Sequence, residues 1–191
     1  METKTVNVKA PINNLHQDLI NRCKTNDQKA QFRIYKLYYK AMYNTSLRIV
    51  KDTMEAEDIM QESFLSAFEK INTYSGMVSF GAWLKKIVIN RSLDFVRKKK
   101  TIFEDNENHI RIEDTRNEET DNLEDININI EKVKQIIENL ADGYRIILSL
   151  YLIEGYDHNE ISEILSISSC TSRSQLSRAK NRLIKELKVT D

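Results

Sequence analysis

Glycine and proline are scarce in this chain of 191 residues, which contains four glycines and one proline. Both residues punctuate the turns of β proteins, and both interrupt helices. Their scarcity argues against a turn-rich β protein and favours long helices. The length leaves room for one or two domains, and hydrophobic residues make up 40% of the chain, enough for a core in each.

Cysteine and histidine are also few. Cys23 and Cys170 lie far apart in sequence, and neither they nor the three histidines show metal-ligand spacing. This pattern predicts a reduced intracellular protein without a structural zinc. A nucleophile triad and a phosphate-binding loop are missing as well, so we expect no catalytic residues, no metal and no other cofactor.

Long apolar runs are missing too. None approaches the length needed to cross a bilayer, and the first residues, METKTVNVKAPINN, lack the apolar segment and cleavage site of an export signal. We therefore expect a soluble, cytoplasmic protein in which residues 1–14 form a disordered tail.

Charge is segregated along the chain, although 29 basic and 29 acidic residues cancel overall. Residues 85–100 carry seven basic side chains and one acidic side chain, whereas residues 101–130 carry ten acids and two arginines. Because the acidic segment has little periodic hydrophobicity, it is predicted to be a flexible linker. The expected fold is all-α, with helical domains at 15–100 and 131–191.

A helix-turn-helix is predicted between residues 157 and 187. Asp157 and Glu160 have the spacing of a capping box, which marks the start of a helix. Residues 166–170 interrupt the helical period, and Ser168 or Ser169 is placed to cap a second helix that opens at about Thr171. The second helix has an apolar stripe made by Leu176, Ala179, Leu183 and Leu187.

The polar face of that second helix is cationic, which suits a DNA groove. Its front turn offers hydroxyl, amide and guanidinium groups for base edges, with further cations behind for phosphates. The candidate contacts are Thr171, Ser172, Arg173, Ser174, Gln175 and Arg178. A solvated amphipathic helix in a helical bundle is the alternative interpretation, and the motif alone leaves it open.

Three features stand out in the front domain. Aromatic residues at positions 32–43 have helical spacing, and most of them are predicted to be core. Acids crowd the first half of a helix that begins at Asp52, which fits either stabilisation by the helix dipole or docking of a basic partner. An aromatic loop at 72–81, predicted to be exposed, precedes the basic helix, a combination typical of single-stranded nucleic-acid binding. A solvated helix end is the alternative.

Taken in order, these segments resemble the extracytoplasmic-function (ECF) group of bacterial RNA polymerase sigma factors. The resemblance rests on DTMEAEDIMQESF, on WLKKIVINRSLDFVRKK after the aromatic loop, and on EGYDHNEISEIL followed by SRAKNRL. It spans residues 15–187. It implies a non-catalytic factor that directs core polymerase to promoter DNA, and many such factors also have an anti-sigma partner.

The resemblance also implies roles for particular residues. Asp58, Gln61 and Glu62 would dock on the clamp helices of the largest polymerase subunit. The loop and basic helix would melt the minus-ten element, with a flipped base received near residues 74–80. The candidate contacts there are Tyr74, Phe80, Lys86, Asn90, Arg91 and Arg97. The helix from Thr171 would read the minus-thirty-five element, and the acidic linker would pass through the polymerase towards the RNA exit path.

Four positions depart from the family pattern. Ser166 and Cys170 stand where glycine is frequent, Ser172 where an apolar residue is frequent, and Gln175 where arginine is frequent. Because of these differences, the position of the second helix in the motif and the DNA sequence that it prefers do not follow from the resemblance. A stand-alone helix-turn-helix regulator is the alternative function, because it would use the same motif without polymerase. A helical adaptor that binds protein alone is a third class, and it would show no salt-dependent affinity for DNA.

Overall fold

The computed structural model describes residues 15–104 and 130–189, with side chains described for 15–99 and 130–188. Within these ranges the regular structure is helical, which confirms the all-α prediction. The helices are α1 (Gln17–Lys24), α2 (Gln28–Val50), α3 (Thr53–Glu69), α4 (Phe80–Glu104), α5 (Ile130–Asn139), α6 (Asp142–Leu148), α7 (His158–Leu165) and α8 (Ser169–Val189). A 3-10 turn, Ile71–Thr73, follows α3, and a π-helical turn, Ser149–Ile153, follows α6.

The chain divides into two compact units, Met1–Asp94 and Phe95–Asp191. The predicted tail 1–14 lies outside the described residues, as does most of the predicted linker 101–130. Helix α4 continues to Glu104, and α5 begins at Ile130, so both ends of that segment are helical.

Two aspartates start the long helices of the first unit. The side chain of Asp27 accepts hydrogen bonds from the backbone amides of Lys29 and Ala30 at the start of α2. Asp52 does the same for Met54 and Glu55 at the start of α3. Each carboxylate thus satisfies amides that a helix start leaves unbonded. The predicted start of α3 at Asp52 is confirmed.

The first unit buries one face of α2 against α1, α3 and α4. Ile34, Met42, Phe64, Leu84 and Val88 belong to a single core cluster. Tyr35 and Tyr43 pack against this cluster, as predicted for most of the aromatic residues of α2. Phe32 and Tyr39 are not core, since they are 57% and 44% exposed.

A buried polar contact joins α2 to α4. Ser46 and Ser92 are buried, and their hydroxyl oxygens are 3.0 Å apart. Ser92 also donates to the backbone oxygen of Val88 at 2.8 Å, so the pair forms a small satisfied network in an apolar interior. A hydrogen bond of this kind favours one register between two helices.

The second unit is built on α6 and α8. Ile147 and Leu148 of α6 are buried, and the predicted apolar stripe of α8 is confirmed by the burial of Leu176, Ala179 and Leu183. The predicted helix from Tyr144 to Glu154 is present, but it begins earlier, at Asp142, and its second part is π-helical instead of α-helical. Helix α6 ends at Leu148, and the π-helical turn widens the backbone for one turn before Gly155, which has a φ of 78°.

Arg145 is a buried cation that the hydrophobic pattern does not reveal. It is 1% exposed and forms an ion pair with Asp142, with 2.5 Å between Nη2 and Oδ1. Burial lowers the pKa of Arg145, and the charge of Asp142 opposes that effect. A buried charge needs such a partner, and removing the partner would leave a large desolvation penalty uncompensated.

Among the described helices, none is both long enough and apolar enough to cross a membrane.

We expect Phe80→Ala to lower the free energy of unfolding by about 3–5 kcal/mol, because it removes a ring that is 1% exposed in the core of the first unit. Val78→Ala is the matched control in the same loop. Val78 is 47% exposed, so its truncation should change stability by about 0.5 kcal/mol or less. Urea unfolding of the two variants measures both values, and equal small losses would show that Phe80 is not part of the core.

Candidate functional sites

Helix α3 presents an acidic outer face. Asp58, Gln61 and Glu62 are all exposed, and their spacing places them on one side of the helix. Met54 and Leu65 extend the same side with apolar side chains that are 77% and 65% exposed. The structure therefore brings the three residues predicted to bind polymerase onto one mixed acidic and apolar surface.

Helix α4 presents cations and an amide on its outer side. Lys86, Asn90 and Arg97 are exposed, and their spacing of four and seven residues aligns them along one stripe. Phosphate oxygens and base edges are suitable partners for such groups. These three predicted nucleic-acid contacts share one face.

Arg91 lies at the boundary between the α3 and α4 surfaces. Its Nη1 atom is 2.8 Å from Oε2 of Glu62, and the two side chains are 38% and 65% exposed. Exposed pairs of this kind add at most about 1 kcal/mol to stability. The pair nevertheless shows that a predicted DNA contact and a predicted polymerase contact are immediate neighbours.

The aromatic loop is organised differently from the prediction. Tyr74 is 4% and Phe80 is 1% exposed, and their rings meet edge to face with centroids 5.5 Å apart. The hydroxyl of Tyr74 donates to the backbone oxygen of Val78 at 2.6 Å. The expectation of exposed rings was therefore wrong for both residues. They support the loop from below, while Met77 and Val78 are its exposed apolar side chains.

The helix-turn-helix is confirmed together with its caps. Asp157 and Glu160 form a complete capping box at the start of α7. Ser166 ends that helix in the left-handed region, with a φ of 57°. The hydroxyl oxygen of Ser168 then accepts a bond from the amide of Thr171 at 3.0 Å. Helix α8 consequently begins at Ser169, earlier than the predicted start at Thr171.

The front of α8 exposes some of the predicted base contacts and buries one. Arg173, Ser174 and Arg178 are exposed, whereas Thr171 and Gln175 are half-buried. Ser172 is 0% exposed, and its hydroxyl is hydrogen-bonded to Nδ1 of His158 at 3.0 Å. Assigning Ser172 to a base edge was therefore wrong, because its side chain points into the unit.

Within the residues that the structure describes, no group of three or more His, Cys, Asp or Glu side chains is placed to hold a metal ion.

Two family descriptions match the chain in the order of the two units. Sigma-70 region 2 matches residues 34–102, and Sigma-70 region 4 matches residues 130–183. Together they define a transcription initiation factor that contains both regions.

Individual relatives narrow that class. The ECF RNA polymerase sigma factor SigW of Bacillus subtilis is 30% identical over 88% of this chain and 95% of its own length. SigM of the same organism is 31% identical over 78% of this chain and 90% of its own length. The chain belongs to the ECF group of RNA polymerase sigma factors, which are non-catalytic and direct RNA polymerase to promoters. A stand-alone regulator is not favoured.

A solved structure agrees on the fold. The sigma factor RpoE of Bartonella quintana, in complex with the anti-sigma factor NepR, superposes with a TM-score of 0.56 and 21% identity. The similarity covers 83% of this chain and 96% of that one.

The two cysteines differ in exposure, so their reactivity tests whether Cys23 is buried. Desolvation by burial raises the pKa of Cys23 to about 11, so its thiol stays protonated at about pH 8, whereas Cys170 is exposed at the front of α8. We expect a thiol reagent to modify Cys170 rapidly in the folded protein and Cys23 only after denaturant is added. Cys170→Ser should abolish the rapid phase, and rapid labelling of that variant would contradict the burial of Cys23.

Proposed function

We propose that the two units of this sigma factor divide promoter recognition between them. The first unit docks on core polymerase through α3 and holds the opened minus-ten strand through α4. The second unit reads the duplex minus-thirty-five element through α8. The observation that carries this proposal is that the acidic face of α3 and the cationic face of α4 adjoin at Glu62 and Arg91.

Polymerase docking is assigned to Asp58, Gln61 and Glu62. Their exposed acidic face suits a basic partner surface, and the adjacent Met54 and Leu65 supply apolar area that a charged rim alone would lack. We propose that the partner surface is the clamp helices of the largest polymerase subunit, as the family resemblance implies.

Strand capture is assigned to α4 and to the loop before it. Lys86, Asn90, Arg91 and Arg97 would contact the backbone or bases of the non-template strand. Flipping a base costs a few kcal/mol, which contacts to the opened strand must offset. Because Tyr74 and Phe80 are buried, we assign them the support of the loop, and we place the received base against residues 75–79.

Duplex reading is assigned to the front of α8. Arg173, Ser174 and Arg178 are exposed there, and Thr171 and Gln175 are partly accessible. An arginine in the major groove can bond two acceptors of one guanine, which makes Arg173 the first candidate for base discrimination. The hydroxyl and amide groups beside it can bond base edges or phosphates.

Three further assignments depend on the family and on its structural relative. The acidic segment between α4 and α5 is proposed to run through the polymerase towards the RNA exit path. An anti-sigma protein is proposed as a regulatory partner, by likeness to the complex of RpoE with NepR. A factor that binds polymerase on promoter DNA works in the cytoplasm, which is the proposed location.

A stand-alone regulator would use the same helix-turn-helix, but the family membership does not favour it. It would bind its duplex without polymerase, usually as a dimer on a palindrome. Run-off transcription on genomic fragments, with and without this chain added to core polymerase, separates the two. A sigma factor gives start sites that depend on both components.

Base reading by α8 can be tested at Arg173. Arg173→Ala should weaken holoenzyme binding to promoters with an upstream duplex by about 1–3 kcal/mol and relax the base preference at one position. Lys185→Ala, the control, removes a charge farther along α8 and should weaken binding about equally for all upstream sequences while lowering its salt dependence. Binding to core polymerase should be unchanged in both variants, and a loss of core binding equal to the loss of promoter binding would refute the assignment.

Docking by α3 can be tested at Asp58. Asp58→Lys should lower the affinity for core polymerase at least about tenfold, because it reverses a charge on the proposed acidic interface. Asp58 is the cleaner test, since changing Glu62 would also break its pair with Arg91. Glu138→Lys reverses an exposed charge on α5 and is the control. Fluorescence titration with core polymerase measures both, and unchanged affinity for Asp58→Lys would remove the docking assignment.

A further inference from the structure

His158 and Ser172 join the two helices of the helix-turn-helix. His158 is the first residue of α7, and Ser172 lies in the first turn of α8. Their Nδ1 and Oγ atoms are hydrogen-bonded at 3.0 Å, and Ser172 is fully buried. A buried hydroxyl is unfavourable unless it is bonded, so this contact favours one orientation of α8 over others.

Tyr151 also contacts the imidazole of His158. The two rings stack with centroids 5.2 Å apart and an interplanar angle of 29°. Tyr151 belongs to the π-helical turn, and its ring also lies under Nζ of Lys180, 5.1 Å from the ring centroid. Since Lys180 follows Ser172 by about 12 Å along α8, Tyr151 and His158 contact the helix at two separate points.

Ser172 is flanked by side chains proposed to meet DNA. Thr171 precedes it and Arg173 follows it, and successive residues of a helix are turned by about 100° around the axis. A rotation of α8 that released Ser172 would therefore move both neighbours by the same angle. A hydrogen bond is directional in a way that apolar packing is not, so the bond to His158 constrains where Arg173 points.

We propose that His158 is a positioning residue for promoter recognition. Through its bond to Ser172 it sets the rotation of α8, and thereby which bases the front-turn side chains reach. His158 does not contact DNA itself. The proposal rests on the proposed function of α8 as the reader of the upstream duplex.

Four variants separate the bond from the packing. His158→Phe keeps a ring for Tyr151 but removes the nitrogen, and Ser172→Ala removes the hydroxyl. The double variant tests whether both single changes lower affinity by removing the same hydrogen bond. His158→Asn is the rescue variant, because its amide lies at nearly the same distance from Cβ as Nδ1 does.

The measurement uses holoenzyme assembled from each full-length variant and core polymerase. Affinity is measured for a promoter found by run-off mapping and for the same promoter with single base changes in its upstream element. The third DNA is a fork, a partly opened fragment that carries the downstream part of the promoter but lacks the upstream element. The fork is the internal control, because α8 has no duplex to read there. Thermal unfolding of each variant is recorded alongside.

We expect His158→Phe and Ser172→Ala each to lower affinity for the preferred upstream sequence by about three- to tenfold. Both should also reduce the difference in affinity between the promoter with the preferred upstream bases and the promoter with altered ones. The double variant should bind no more weakly than the singles, and His158→Asn should restore the base preference. Fork binding should stay unchanged throughout.

Three outcomes would overturn the proposal. These are an unchanged upstream base preference in His158→Phe, an equal loss on the fork, or a failure of His158→Asn to differ from His158→Phe. Should His158→Phe not fold, His158→Gln replaces it, since its longer amide reaches the place of Nε2 instead. If wild-type holoenzyme itself ignores the upstream bases, the proposed role of α8 fails and the positioning role falls with it.

Discussion

Backbone amides at the start of a helix have no partner within the helix, and in this chain side chains supply the missing acceptors. Asp27, Asp52, Asp157 and Ser168 each precede a helix and accept bonds from its first amides. These caps set where four helices begin, and therefore which residues of each helix face inward. Which residues form the acidic face of α3 and the exposed front turn of α8 therefore depends on where these helices begin.

Buried polar groups inside each unit determine how neighbouring helices are oriented, which apolar packing alone determines less strictly. Ser46 and Ser92 connect α2 to α4, and His158 and Ser172 connect α7 to α8. Both contacts are hydrogen bonds with a buried hydroxyl, for which a misaligned helix would leave a donor or acceptor unsatisfied. They lie directly beneath the helices to which nucleic-acid contacts are assigned, so the orientation of those helices is fixed from inside.

Much of the fold could be predicted because its signals are local. Helical periodicity, the Asp157 capping box and the scarcity of glycine are properties of a few adjacent residues, and the structure confirms the helices that they predicted. The aromatic positions were harder. Phe32 and Tyr74 both have side chains that fit a core or a binding surface, and only the packing of neighbouring helices shows that Phe32 is exposed and Tyr74 buried.

By itself the sequence determined the all-helical class, the order of its segments, the helix-turn-helix and the segregation of charge, because each depends on residues close together along the chain. Tertiary structure alone decided which of the candidate side chains face outward. Ser172 turns inward to His158, and Arg91 meets Glu62 from a different helix. Such contacts join residues separated by 14 and 29 positions, and no local pattern encodes a pairing that arises only when helices pack.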